Sequence, residues 1–198
     1  MKNKLVVLCG KSGVGKSTVK DIIVKRGILP NAISTTTRQR RENEVEGEDY
    51  QFVSLEEFLK MDNNNELLES TDYYIPNEGY VGYGLPKKNV DLNKSSYITI
   101  LNPHGIKQLY LEMNAEDILT IYIKRNDHDR VIDYLNREKG KDVRKVLENC
   151  LERYVRDEVD FGDIDLGLLA DYVVENNGNI QDLFQKVVDI IVKELDMK

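Results

Sequence analysis

The chain has 198 residues, 40% of them hydrophobic and 32% charged, with a formal net charge of −7. That length holds one domain, or one domain with inserted lobes, and can bury a sizeable core. The composition excludes a membrane-spanning helix, because no apolar run approaches the ~20 residues one needs, and the acidic balance argues against a nucleic-acid surface, which would be basic. The first apolar run is too short for a secretory leader. The two cysteines, Cys9 and Cys150, lie far apart and suggest no disulfide framework, so a reduced, cytoplasmic setting is expected.

Leu5-Val6-Val7-Leu8-Cys9 is a continuous apolar run and predicts a parallel strand buried on both faces. Gly10-Lys11-Ser12-Gly13-Val14-Gly15-Lys16-Ser17-Thr18 follows directly, with the spacing of a phosphate-binding P-loop between a strand and a helix. Glycines let the backbone wrap a polyphosphate closely, and the N–H groups at a helix start face the anion. A nucleoside triphosphate is therefore expected on Gly10, Ser12, Gly13, Val14, Gly15, Lys16, Ser17 and Thr18. Lys16 would reach the β- and γ-phosphates, and the Ser17 hydroxyl would ligate Mg²⁺.

A helix is predicted from Thr18 to Lys25, ended near Gly27, and a short strand from Asn31 to Ser34. Residues 34–41 then hold a hydroxyl cluster and three arginines, Arg38, Arg40 and Arg41, suited to a small phosphate because arginine binds it bidentately and keeps its charge. An acidic stretch runs from Glu42 to Asp49. Ser54-Leu55-Glu56-Glu57 is a capping box and starts a helix that ends near Asn63. Leu67-Leu68-Glu69 reads as a short strand, and residues 72–83, with Pro76, Gly79 and Gly82, as a hairpin or loop.

Residues 97–101 and 118–123 are two further buried-strand candidates. Pro103 opens a helix after the first of them. His104 there reads as structural or exposed rather than catalytic. Asn126 or Asp127 caps the helix after the second, and residues 137–141 break it. A long helix from about Val143 to Asp160 has an apolar period at Val143, Val146, Leu147, Leu151, Tyr154 and Val155, with arginines on its other face. Tyr172–Glu175 is the last strand, and residues 180–195 form a closing amphipathic helix. Strands alternating with helices imply an α/β domain with a largely parallel sheet of five strands and helices on both faces. The expected organisation is a core (1–34, 91–125, 162–198), an inserted acceptor lobe (35–90) and a helical lid (126–161).

A GTPase would show a late guanine-reading Asn-Lys-x-Asp and an Asp-x-x-Gly after a strand, and neither stands in a matching place. A small kinase acting on a phosphorylated acceptor fits better, because two anionic substrates demand a second phosphate site and arginines. The run Ser34-Thr35-Thr36-Thr37-Arg38, then Arg41, then Glu44 to Ser54, resembles the nucleotide-acceptor segment of guanylate kinases. Glu66-Leu67-Leu68-Glu69, Tyr83-Gly84 and residues 170–176 continue the resemblance in order, over most of the chain.

The resemblance implies an ATP-dependent nucleoside monophosphate kinase that uses Mg²⁺ and acts on GMP or dGMP. It implies that Ser34, Arg38, Arg41, Tyr50 and Tyr83 hold the acceptor phosphate, with Glu69 and Asn102 at the base. Guanine presents its ring N–H and amino group side by side, and a carboxylate offers two acceptors to match. Lys16, Arg38, Arg137 and Arg153 would act on the transferring phosphoryl group, the last two from the lid, with Arg156 a further candidate. Three features depart from the family pattern. Leu85 stands where a base-contacting Ser or Thr is usual, Ile100 and Asn102 stand where two aspartates are usual, and the segment between Glu69 and Tyr83 is long. They leave two alternatives: a kinase for another monophosphate, or a binding module without catalysis. Such modules usually lose the P-loop, and Lys16 and Ser17 are present here.

Overall fold

A computed structural model describes residues 2–41, 44–75, 79–162 and 165–197. The chain runs through β1 (Leu5–Cys9), α1 (Lys16–Lys25), β2 (Thr35–Thr36), β3 (Gln51–Phe52), α2 (Leu55–Asn63), β4 (Leu67–Ile75) and β5 (Gly79–Pro86). It continues through β6 (Tyr97–Ile100), α3 (Pro103–Glu112), β7 (Ile118–Lys124), α4 (Asp127–Arg137), α5 (Val143–Phe161), α6 (Leu166–Leu169), β8 (Tyr172–Glu175) and α7 (Ile180–Glu194). Glu42, at the start of the acidic stretch, and Pro76 lie outside the described residues.

β1 is buried along its whole length, as its uninterrupted apolar run requires. Its alternate residues feed two cores. Val6 and Leu8 pack with Ile23 of α1 and Val187 and Ile191 of α7. Leu5, Val7 and Cys9 pack with Ile106 and Leu109 of α3. The sheet order is β6-β1-β7-β8, all parallel, with helices on both faces. The α/β expectation holds, and the site lies where the carboxyl end of β1 opens into the loop.

The expected strand at 31–34 shrinks to one bridge, Asn31 to Ile98, so the sheet has four strands among the described residues. The backbone pairs with Ile98 only through the Pro30 carbonyl and the Ala32 N–H. The Asn31 side chain instead donates to the Glu48 carbonyl at 2.8 Å, and the chain leaves for a second sheet.

That second sheet has the order β3-β2-β5-β4. The short strand expected at Leu67–Glu69 is longer, running to Ile75, and pairs antiparallel with β5 down to Ile75 opposite Gly79. The added length is held by cross-strand aromatics, with the Tyr74 and Tyr80 rings 5.4 Å apart. α2 begins with the anticipated capping box, Ser54 with Glu57.

The period of α5 is present but reverses the expected burial. Val143, Leu147, Leu151 and Val155 are exposed, Val159 extends the row, and only Val146 of the apolar set is buried. The inward face carries polar residues instead, because it borders a charged cleft. No helix among the described residues is long and apolar enough to cross a membrane.

Candidate active site

The P-loop wraps as the glycines dictate. Gly10 sits at φ 145°, and a Cβ there would lie 2.3 Å from the Ile123 carbonyl, so no other residue fits. α1 starts after Gly15 with no side-chain cap, which leaves its first N–H groups for an anion. Lys16 Nζ donates to the carbonyls of Gly10 (2.5 Å) and Lys11 (2.9 Å). Burial draws its pKa down to about 8, against the opposing pull of Cys9 and Asp157. Ser12, Gly13, Gly15, Lys16, Ser17 and Thr18 line a cavity of about 790 Å³. Gly10 and Val14 do not line it: the Gly10 carbonyl holds Lys16, and the Val14 side chain lies in the core. Cys9 is buried behind the loop, and burial pushes its thiol up to about 12.

Three elements brace this loop, and sequence reasoning missed the braces. Asp157 of α5 accepts from Ser12 N and Ser12 Oγ, both at 3.0 Å. Arg130 of α4 donates to the Ser12 carbonyl at 2.8 Å and to Asp157 at 2.6 Å, and Asp127 takes its Nε at 2.8 Å. Asn176, after β8, donates to the Val14 carbonyl at 2.9 Å. The Arg130–Asp157 pair is buried, at 4% and 8% side-chain exposure. In sequence Asp127 reads as a possible helix cap, Asn176 as the end of the last matching segment and Arg130 as part of no pattern, so nothing local marks them as braces.

A second cavity of about 280 Å³ adjoins the first, and Ser17 and Arg41 line both. Ser34, Arg38 and Tyr50 line it as well. Arg38 Nε donates to Tyr83 Oη at 3.2 Å, and its guanidinium lies 5.1 Å over the Tyr50 ring. Four of the five residues expected at an acceptor phosphate thus share this cavity, and Tyr83 is tied to it through Arg38. Glu44 occupies the Arg38 fork bidentately, at 2.7 and 2.5 Å, and also accepts from Arg41 N at 2.9 Å. Burial pulls the Arg38 pKa down, and the Glu44 bonds overcome that and raise it. A carboxylate held by a guanidinium and a backbone N–H has the geometry an anion site needs. Glu44 was not singled out beforehand, because it sits in an acidic run.

Glu69 and Asn102 lie apart from both cavities, at the start of α3. Glu69 is 5% exposed, and burial pushes its pKa up to about 8, against the Leu85 backbone N–H that lowers it. Leu85 pairs opposite Glu69 and is fully buried in the α3 core. The Asn102 carbonyl oxygen accepts from Gly105 N at 2.7 Å and caps α3. Its amide donates to Tyr73 Oη, which donates onward to Asp160 Oδ2 at 3.3 Å. The Arg156 guanidinium stacks 4.7 Å over the Tyr73 ring. Tyr73 thus ties β4, α3 and α5 together, a link that the aromatic-rich sequence did not single out.

Arg137 and Arg153 both line the larger cavity, stacked on Tyr134 at 5.3 and 5.4 Å. Burial, then neighbouring arginines, lowers the Arg153 pKa. His104 faces Gln108 at 2.8 Å on α3 and lines neither cavity. Among the described residues no group of three or more His, Cys, Asp or Glu could hold a metal. The Ser17 hydroxyl between the cavities suits a hard cation that arrives with phosphate oxygens.

A family model described as guanylate kinase matches residues 2–194. A guanylate kinase of Enterococcus faecalis is 32% identical over 96% of this chain and 88% of its own length. One from Mesoplasma florum is 31% identical over 98% of the chain, which spans 62% of that longer protein. The crystal structure of guanylate kinase from Anaplasma phagocytophilum superposes with a TM-score of 0.66 at 26% identity, covering 100% of this chain and 88% of its own.

Proposed function

The chain belongs to the guanylate kinase family, and on that premise we propose that it transfers the terminal phosphoryl group of ATP to the phosphate of GMP or dGMP. One observation carries the reading: the P-loop cavity and the Arg38–Tyr50 cavity share Ser17 and Arg41, so two phosphates can meet end to end. A phosphate oxygen of the acceptor attacks the γ-phosphorus, and the bond from that phosphorus to the β,γ-bridging oxygen breaks to release ADP. No general base is needed, because the attacking oxygen is already anionic. The work is positioning and charge neutralisation.

Lys16 and the N–H groups at the start of α1 hold the β- and γ-phosphates. Mg²⁺ bound with ATP, with the Ser17 hydroxyl as its protein ligand, supplies further neutralisation at the phosphate oxygens. The acceptor phosphate replaces the Glu44 carboxylate in the Arg38 fork, with Ser34, Arg41, Tyr50 and Tyr83 around it. Glu69 takes the N1–H and amino group of guanine. Arg137 and Arg153 neutralise the charge that spreads over the transferring group. Residues 126–161 act as a lid and 35–90 as the acceptor lobe, and closure excludes water so that bound ATP is not hydrolysed. The free thiols Cys9 and Cys150 suit a cytoplasmic setting.

The test is ADP release measured against a panel of nucleoside monophosphates, with Lys16→Ala as the control. Turnover with GMP or dGMP is expected, and Lys16→Ala should abolish it. No turnover with any acceptor would remove the kinase reading, and turnover only with a pyrimidine acceptor would remove the guanine assignment.

A further inference from the structure

Glu69, Thr71 and Tyr73 alternate along β4, so they leave the same face of the second sheet. Across the ladder Glu69 stands opposite Leu85 and Thr71 opposite Tyr83. Tyr83 is bonded to Arg38 at the phosphate end, and Glu69 lies at the base end. Thr71 therefore sits between the two ends of the acceptor site. Its hydroxyl oxygen is buried and makes no hydrogen bond with any described residue. Buried hydroxyls are normally partnered, and one with no protein partner between the two ends of the proposed acceptor site points to a ligand atom as its partner.

The chemistry of guanine says which atom. Its N1–H and amino group are donors, which the Glu69 carboxylate can accept. Its O6 is an acceptor and needs a donor beside that carboxylate. Leu85, opposite Glu69, has none. Asn102 has given its side-chain oxygen to Gly105 N and one amide N–H to Tyr73 Oη, and these two bonds hold the carboxamide between α3 and β4. The Tyr73 hydroxyl proton is committed to Asp160. The hydroxyl of Thr71, diagonal to Leu85 on the same face, is the side chain of this group that is buried with no hydrogen bond to any described residue.

We propose that Thr71 is a specificity-determining residue, its hydroxyl donating to O6 of a 6-oxopurine monophosphate whose N1–H and 2-amino group bond Glu69. The inference rests on the functional reading above. A hydroxyl alone can face a 6-oxo or a 6-amino group, but beside a carboxylate that demands a donor at N1 only the 6-oxopurine satisfies both.

The test compares the wild-type chain with Thr71→Val and Thr71→Ser by titration calorimetry and steady-state kinetics. The acceptors are GMP, inosine monophosphate (6-oxo without the 2-amino group) and 2-aminopurine riboside monophosphate (2-amino with neither 6-oxo nor N1–H). Thr71→Val should weaken GMP and inosine monophosphate about tenfold, with the loss in Kd and acceptor KM. Thr71→Ser should restore most of it. The 2-aminopurine nucleotide, with whatever affinity it has, and ATP should bind all three chains alike. Equal GMP affinity in wild type and Thr71→Val would overturn the proposal, as would an equal loss on the 2-aminopurine nucleotide. Thr71→Ala gives the same comparison should the valine variant not fold. A wild-type chain that binds GMP without phosphorylating it would overturn the kinase reading alone, since the Thr71 comparison is read by binding.

Discussion

Burial gives Glu69 and Lys16 opposite protonation problems. Glu69 is pushed up to about 8 by burial, so without ligand it is largely protonated near neutral pH. Two purine donors favour the carboxylate, so acceptor binding should expel a proton. Calorimetry in buffers of different ionisation enthalpy will show this as a buffer-dependent heat that Glu69→Gln removes. Lys16 is lowered to about 8 by burial, so ATP binding above that pH should take a proton up. The stability sign follows. Glu69 binds more protons folded than unfolded between its ordinary 4.5 and about 8, so its contribution is full below that window and is lost as pH rises through it. Tm of the unliganded protein should fall across this window, and Glu69→Gln should flatten the fall. Glu69 was legible in sequence as a carboxylate in a matching motif. Its protonation was not, because that depends on α3 packing over it from a distant part of the chain.

At the scale of elements, α3 shows how closely a helix start can be fitted to a side chain. A Cβ on Gly105 would lie 2.7 Å from Glu69 Oε2. Gly105→Ala should displace that carboxyl and raise the acceptor KM at least about tenfold, with ATP affinity unchanged; kinetics with each substrate varied in turn will show it. α4 and α5 meet the P-loop through the buried Arg130–Asp157 pair and through Lys11 of the loop, which pairs with Asp127 and Glu158. Asp157→Ala leaves the Arg130 guanidinium with Asp127 as its one carboxylate, removes the acceptor of Ser12, and should cost about 2–3 kcal/mol, measured by denaturant unfolding. β1, the P-loop, α1, β6, β7 and α7 were legible because long apolar periods and glycine spacing are local signals. β2 and the end of β4 were not. A two-residue strand such as Thr35–Thr36 has no period, and β4 continues only because β5 is there to pair with it. The apolar face of α5 misled for a different reason: period reports which residues share a side, not whether anything covers that side.

For the whole molecule, the three segments that flank the cleft converge on Tyr73, which bonds Asn102 at the start of α3 and Asp160 on α5 from the β4 arm. Tyr73→Phe deletes both bonds and keeps the ring under Arg156. Amide hydrogen exchange in α5 should accelerate while Tm changes little, and ATP hydrolysis without acceptor should rise, since the helix would exclude water less well. Unchanged exchange in α5 would show that Tyr73 does not hold it.

The solvated row Val143, Leu147, Leu151, Val155 and Val159 on α5 has a thermal consequence. Heat capacity tracks apolar surface moved into or out of water, and these side chains are already hydrated. Closure of α5 as the proposed lid would therefore change apolar hydration little. The heat capacity of substrate binding should be small, and a van't Hoff plot of nucleotide affinity close to straight across the folded range.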